Sequence, residues 1–143
     1  MKAIMALLLV LCIGPAAEAK AGMTERLEKQ CRFQKLDPGT WTEREERRTA
    51  ACIVEKFGVI GGLPQLDSTI DCESGWWRFA SNDGRYLGLA QHEASSWPGR
   101  VHTFMPDGWK IGPWERWTNS RSQLVTTVRM VNASGGWSAW ACA

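Results

Sequence analysis

Residues 61–91 read GGLPQLDSTIDCESGWWRFASNDGRYLGLAQ, and the spacing of apolar residues in the first half of this stretch governs the rest. At 100° per residue, Leu63, Leu66, Ile70 and Glu73 fall within one arc of about 80°. Leu63 to Glu73 is therefore predicted to be a helix whose aliphatic stripe ends on a carboxylic acid. Pro64 is tolerated because it lies in the first turn, and Ser74-Gly75 ends the helix. The stretch from Trp76 to Gln91 is predicted to form a small β-hairpin. It turns at Asn82-Asp83-Gly84, residue types that reach positive φ easily.

Working outward, Thr42-x-x-Glu45 forms a capping box. Glu43 and Glu46 add negative charge to the first turn, and Gly58 follows the last. The buried face of this helix should hold Ala50, Ile53 and Phe57, with Cys52 alongside, and the charge run Glu43–Arg48 reads as a solvated first half. Before it, Met23, Leu27 and Cys31 recur every fourth residue, suggesting a short helix or ordered arm that Asp37-Pro38-Gly39 breaks. Beyond the hairpin, residues 95–117 are rich in Trp, Pro and Gly, pointing to irregular loops around short helices. Ser120-x-x-Gln123 reads as a second capping box. Leu124, Val128 and Val131 mark one face of a helix that should stop near Gly135-Gly136. The fold class is mainly α (α+β), with a small hairpin.

The start of the chain has a different character. Met1-Lys2, the apolar run Ala3–Ile13, Gly14-Pro15 and Ala17-Glu18-Ala19 follow the layout of a secretory signal peptide. The apolar run is too short for a membrane span, which needs about 20 residues. We therefore expect 1–19 to be a cleaved signal, 20–41 an N-terminal arm and 42–143 the working domain, a single domain by its size. A formal net charge of +2 excludes a strongly basic nucleic-acid binder and a polyacidic disordered tail. The four cysteines after the signal, Cys31, Cys52, Cys72 and Cys142, read as two disulfides with three possible connectivities. They are too widely spaced for zinc-ligand pairs, and His92 and His102 form no metal-binding pattern. No metal and no cofactor are expected. One feature of the composition is unusual: nine tryptophans against four phenylalanines and one tyrosine.

Glu73 is the leading candidate for chemistry. A carboxylic acid donates a proton near neutral pH only where its charged form is disfavoured. A place at the end of a helix, above an aliphatic stripe and beside Trp76-Trp77, is expected to exclude water. The bland alternative is that Glu73 caps its helix or pairs with an arginine such as Arg78.

The run Cys72-Glu73-Ser74-Gly75, followed by Gly88-Leu89-Ala90-Gln91, resembles the E-S-G…G-L-x-Q signature of the lysozyme-like lytic transglycosylases. Gly61-Gly62, Trp97-Pro98-x-Arg100, Asn119-Ser120-Arg121-Ser122 and the ending Gly135-Gly136-Trp137-Ser138-x-Trp140-x-Cys142 are similar to a small secreted actinobacterial group of transglycosylase-like proteins. The resemblance spans roughly 41–142. It implies a lysozyme-like helical domain with the hairpin beside an active-site cleft. It also implies that the glutamate at position 73 is the sole catalytic acid and base. In such enzymes the glutamate protonates the glycosidic oxygen between N-acetylmuramic acid and N-acetylglucosamine. It then takes a proton from the C6 hydroxyl of the muramic sugar, which attacks its own anomeric carbon to give a 1,6-anhydro product. Carried over position by position, Gly88 and Leu89 would line the cleft, glycine allowing close approach of the sugar, and Gln91 would offer hydrogen bonds. Asn132 or a nearby residue would stand where the family often has a cleft-lining tyrosine, which this chain lacks there.

A hydrolytic muramidase would instead use two carboxylates, for which Asp83 and Glu93 are the candidates. Asp83 has a simpler explanation as a turn former beside Gly84. Indole rings stack on pyranose faces and their N–H groups donate to hydroxyls. Of the tryptophans, Trp76 or Trp77 and Trp109 are expected at the cleft, while Trp137 and Trp140 are expected to pack against the helix bearing Glu73. The disulfide pairing expected with this arrangement is Cys72–Cys142, tying the tail beside Glu73, and Cys31–Cys52, fastening the arm. The expectation is a monomeric exported enzyme acting on peptidoglycan glycan strands. The competing class is a non-catalytic glycan-binding or signalling module on the same scaffold.

Overall fold

The computed structural model of the chain describes residues 29–32 and 42–143. The expected signal peptide and most of the expected arm lie outside these residues. Among the described residues, no helix is long and apolar enough to cross a membrane. The architecture is mostly helical with a small antiparallel sheet. In chain order come α1 (Glu43–Phe57), α2 (Gly62–Ser74), β1 (Ser81–Asn82), β2 (Tyr86–Leu87), β3 (His92–Glu93), α3 (Trp97–Phe104), a 3-10 turn (Asp107–Trp109) and α4 (Ser120–Ser134).

The two helices that open the domain start and stop as their sequences dictate. Thr42 and Glu45 form the reciprocal capping box, and Gly58 closes α1 by donating to Val54. Gly75, in a left-handed conformation, ends α2. The predicted stripe is real: Leu66 and Ile70 are fully buried and Leu63 packs against the core. These side chains meet Ala50 and Ile53 of α1 and Leu124, Val125 and Val128 of α4 in one cluster, which Leu89, Trp97 and Val101 complete. Both expected disulfides are present, Cys31–Cys52 and Cys72–Cys142. The described part of the arm is packed in place, with Cys31 fully buried and Gln30 Nε2 donating to Gly108 O at 2.5 Å.

Two local expectations are corrected. The Ser120-x-x-Gln123 capping box does not form. Asn119 is the N-cap, its side chain accepting from Ser122 N, while Ser120 Oγ reaches across to Glu46 Oε1 at 2.9 Å. Because the first half of α4 is buried on all sides, a polar side chain there is bound by neighbouring segments instead of by its own helix end. The charge run of α1 is likewise not all solvated: Glu46 is only 3% exposed. The sheet also has a third strand, β3, paired antiparallel to β2 beyond the expected hairpin.

Buried His92 forms the polar link between β3 and α4. Its Nδ1 faces an Arg100 guanidinium nitrogen at 3.2 Å, and its Nε2 faces Thr127 Oγ1 at 3.0 Å. A guanidinium only donates, so Nδ1 accepts and the ring proton sits on Nε2. Burial, and secondly the charge of Arg100, pushes this imidazole down to about 3.

Glu46 behaves in the opposite sense. Burial pushes its carboxyl from 4.5 up to about 7, against the Ser120 hydrogen bond and the field of Arg78, with Glu43 and Glu45 adding to the rise. The unfolded chain gives up this proton first, so the stability that Glu46 contributes is complete below pH 4.5 and lost as pH rises through 7. The difference amounts to roughly 3 kcal/mol at about 1.4 kcal/mol per unit. Glu46→Gln keeps an oxygen for Ser120 without the charge. It should match the parent at pH 4.5 and exceed it by about 3 kcal/mol at pH 8, as read from urea unfolding at the two pH values.

Candidate functional site

The C-terminal end of α2 carries Glu73 to the rim of a hollow of about 370 Å³. The hollow is lined by Glu73, Asn82, Tyr86, Gln91, Ala139, Trp140 and Ala141. Glu73 is partly buried, and among the described residues no hydrogen bond or ion pair engages its carboxyl group. Neither bland role applies: α2 is closed by the backbone of Gly75, and Arg78 lies in the field of Glu46 and Glu45.

Three separate segments supply the other walls. The β1–β2 register sets Asn82 opposite Tyr86, and residues directly opposite in an antiparallel pair project to the same face of the sheet. Both therefore reach the hollow from the hairpin. Gln91 sits just past it with φ 46°, its Nε2 donating to Gly88 O at 2.8 Å and to Ala80 O at 3.3 Å. Those bonds engage the amide nitrogen and leave Oε1 able to accept. The third wall is the tail. Trp140 Nε1 donates to Ala90 O at 2.9 Å, and the ring stacks edge-on to Trp137 and His92. The Cys72–Cys142 disulfide ties this tail to the residue preceding Glu73, so the carboxyl and the indole wall are held together covalently.

Several expected site residues lie elsewhere. Leu89 is fully buried in the core, since it packs inward from the loop between β2 and β3. Gly88 is buried too, and the group that needs its missing side chain is Gln123. A Cβ at Gly88 would lie 2.1 Å from Gln123 Nε2. Trp76 and Trp77 do not line the hollow at Glu73. Gly75 and Trp76 both take positive φ, 58° and 60°, and this sharp bend carries Trp76 back against α1, beneath the Arg47 guanidinium 4.6 Å from the ring centroid. Trp109 packs edge-on to Phe57 with centroids 5.0 Å apart and offers its carbonyl to Arg121. Asn132 holds the loop after α1, donating to Gly58 O and accepting from Ile60 N.

Neither candidate second carboxylate lines the hollow. Asp83 is the exposed turn residue, with φ 50°. Glu93 accepts from Ser96 Oγ at 3.0 Å, at the entry to α3. Asn82 and Tyr86 are not among the sequence-based candidates, because their pairing depends on the loop length of the hairpin. A two-residue turn at Asp83-Gly84 would set Asn82 opposite Arg85, whereas the three-residue loop Asp83-Gly84-Arg85 sets it opposite Tyr86, the chain's single tyrosine.

The arrangement offers one carboxyl group for proton transfer, two side-chain amides and a phenol for hydrogen bonds, and an indole wall. Among the described residues, no group of three or more His, Cys, Asp or Glu side chains is placed to hold a metal ion. Comparison with protein-family models, with curated proteins and with solved structures finds no match.

Proposed function

We propose that this chain is a secreted lytic transglycosylase. It would cleave the MurNAc–GlcNAc bond of peptidoglycan with Glu73 as both acid and base. The observation that carries this reading is a single carboxyl group in a sugar-sized hollow otherwise lined by amide, phenol and indole groups. Inverting and retaining hydrolases place two carboxyls within about 5–10 Å of each other across the scissile bond. Here the candidates for a second carboxyl are engaged at a turn and a helix entry. A lone carboxyl suits a reaction whose nucleophile belongs to the substrate, as the muramic C6 hydroxyl does.

In the proposed cycle the carboxylic acid gives its proton to the glycosidic oxygen as that bond breaks. The resulting carboxylate takes the C6 hydroxyl proton as the oxygen closes on the anomeric carbon, which restores the acid. Tyr86, Asn82 and Gln91 would orient the sugar hydroxyls and acetamido group, and Trp140 would cover one ring face. The two disulfides suit an oxidising, extracellular setting.

The deciding experiment is mass analysis of the products released from purified peptidoglycan. A transglycosylase yields muramic ends one water lighter than those of hydrolysis. Hydrated ends would favour a muramidase. Binding without any release would favour a glycan-binding module.

A further inference from the structure

A second hollow, of about 290 Å³, is lined by Glu43, Glu46, Gly75, Trp76, Trp77, Arg78 and Phe79. It shares no lining residue with the hollow at Glu73, although both adjoin the end of α2. The large hydrophobic side chains exposed among the described residues are Ile60, Trp77 and Phe79, and two of these three stand here, 61% and 43% exposed. What sets this pair apart from a scattered exposed side chain is that both rings line one hollow.

The polar groups narrow the choice of ligand. Trp76 is only 3% exposed, and its Nε1–H is a buried donor with no hydrogen-bond partner among the described residues. Such a group is desolvated without return until an acceptor reaches it. Positive charge is already in place, since Arg47 lies over the Trp76 ring and Arg78 over the Phe79 ring. A cationic ligand would therefore meet the positive charge of two guanidinium groups beside the rings. An anionic ligand would meet Glu43 and Glu46. A neutral ligand with apolar C–H faces and a rim of hydroxyl groups meets neither objection. Its faces match Trp77 and Phe79, its hydroxyl hydrogens match the carboxyl oxygens, and a hydroxyl or acetamido oxygen matches the indole N–H.

We propose that the Trp77–Phe79 hollow is a carbohydrate-binding site separate from the hollow at Glu73, taking a neutral pyranose residue such as an N-acetylhexosamine unit of a glycan strand. It would anchor the protein on its polymer while leaving the Glu73 hollow free. The assignment rests on the chemistry of this hollow and stands apart from the role of Glu73.

The test uses the full chain carrying Glu73→Gln, with the N-acetylglucosamine trimer and insoluble peptidoglycan as probes. Trp77→Ala with Phe79→Ala should weaken retention on peptidoglycan at least tenfold, and Trp77→Phe should restore most of it. In NMR titration of the parent with the trimer, the indole N–H signals of Trp76 and Trp77 should shift together and saturate, a readout that needs no truncated side chain. Unchanged retention in the double variant, or static indole signals on titration, overturns the proposal. So does a dimer-to-monomer change in sedimentation on truncating the rings, because the surface would then be a protein interface. If Glu73→Gln abolishes product release and the ring variants bind normally, this site fails alone. If Glu73→Gln leaves release intact and the ring variants lose retention, the transglycosylase reading fails alone.

Discussion

Glu73→Gln is expected to reduce release of anhydro-muropeptides by on the order of 10³-fold or more, at the upper end for losing one acid–base group. The effect should be large because one side chain is asked to perform both proton transfers. An amide of the same shape can neither give up the first proton nor receive the second. Stability should hardly change, within about 0.5 kcal/mol, since no hydrogen bond or ion pair engages the Glu73 carboxyl among the described residues and it packs at a rim. The check is product release by mass analysis together with urea unfolding of the same preparations. Activity within tenfold of the parent would remove Glu73 from the chemistry. Inactivity with a collapsed unfolding midpoint would show that the carboxyl supports the fold.

The largest effect on stability is expected at Gly88, where alanine should cost roughly 3–5 kcal/mol, the sum of three contributions. Gly88 has φ +77°, a conformation that costs an L-residue about 1–2 kcal/mol. Its new methyl would lie 2.1 Å from Gln123 Nε2, far inside contact, and Gln123 is fully buried with nowhere to retreat. Moving that amide breaks bonds it makes to three segments. It accepts from Ala90 N at 3.2 Å, and donates to Leu87 O at 3.1 Å and Trp117 O at 2.8 Å. Each buried group left unpaired costs about 1–3 kcal/mol. Gln123→Ala in the same assay should also destabilise, and Gly88→Ala should then add only the roughly 1–2 kcal/mol of its positive φ, because the second substitution has no amide left to displace. Additive losses would show that the close approach is not the cause.

Much of the fold was legible in the sequence because local rules governed it. The Thr42/Glu45 capping box, the stripe Leu63–Leu66–Ile70, the turn at Asp83-Gly84 and the stops at Gly58, Gly75 and Gly135 all depend on residues within a few positions of one another. The second capping box misled for the same reason. Ser120-x-x-Gln123 has the right local spacing, but Ser120 and Gln123 are claimed by Glu46 and by the β2–β3 loop, segments far away in the chain. In α4 tertiary partners prevail because the helix is surrounded on all sides, where an unpaired polar group costs more than a local cap returns.

The candidate site divides along the same line. Glu73 and Gln91 could be singled out from sequence and do share a hollow. Trp76, Trp77, Gly88, Leu89, Trp109 and Asn132 could be singled out as well, and they do not join it. Residue type told which side chains suit a sugar. It carried no information on the pair of positive φ values that turns Trp76 away from Glu73.

The sequence by itself determined the first two helices with their ends, the stop of α4, the hairpin turn and an acid at the end of an aliphatic stripe, because each follows from backbone sterics and periodicity within a short window. Only the tertiary structure decided which groups surround that acid, that Gly88 serves Gln123, that Glu46 is buried, and that the tryptophans near Glu73 in sequence face a different hollow. Those outcomes depend on which distant segments compete for the same buried space and the same hydrogen bonds, and that competition is settled only when the chain is packed.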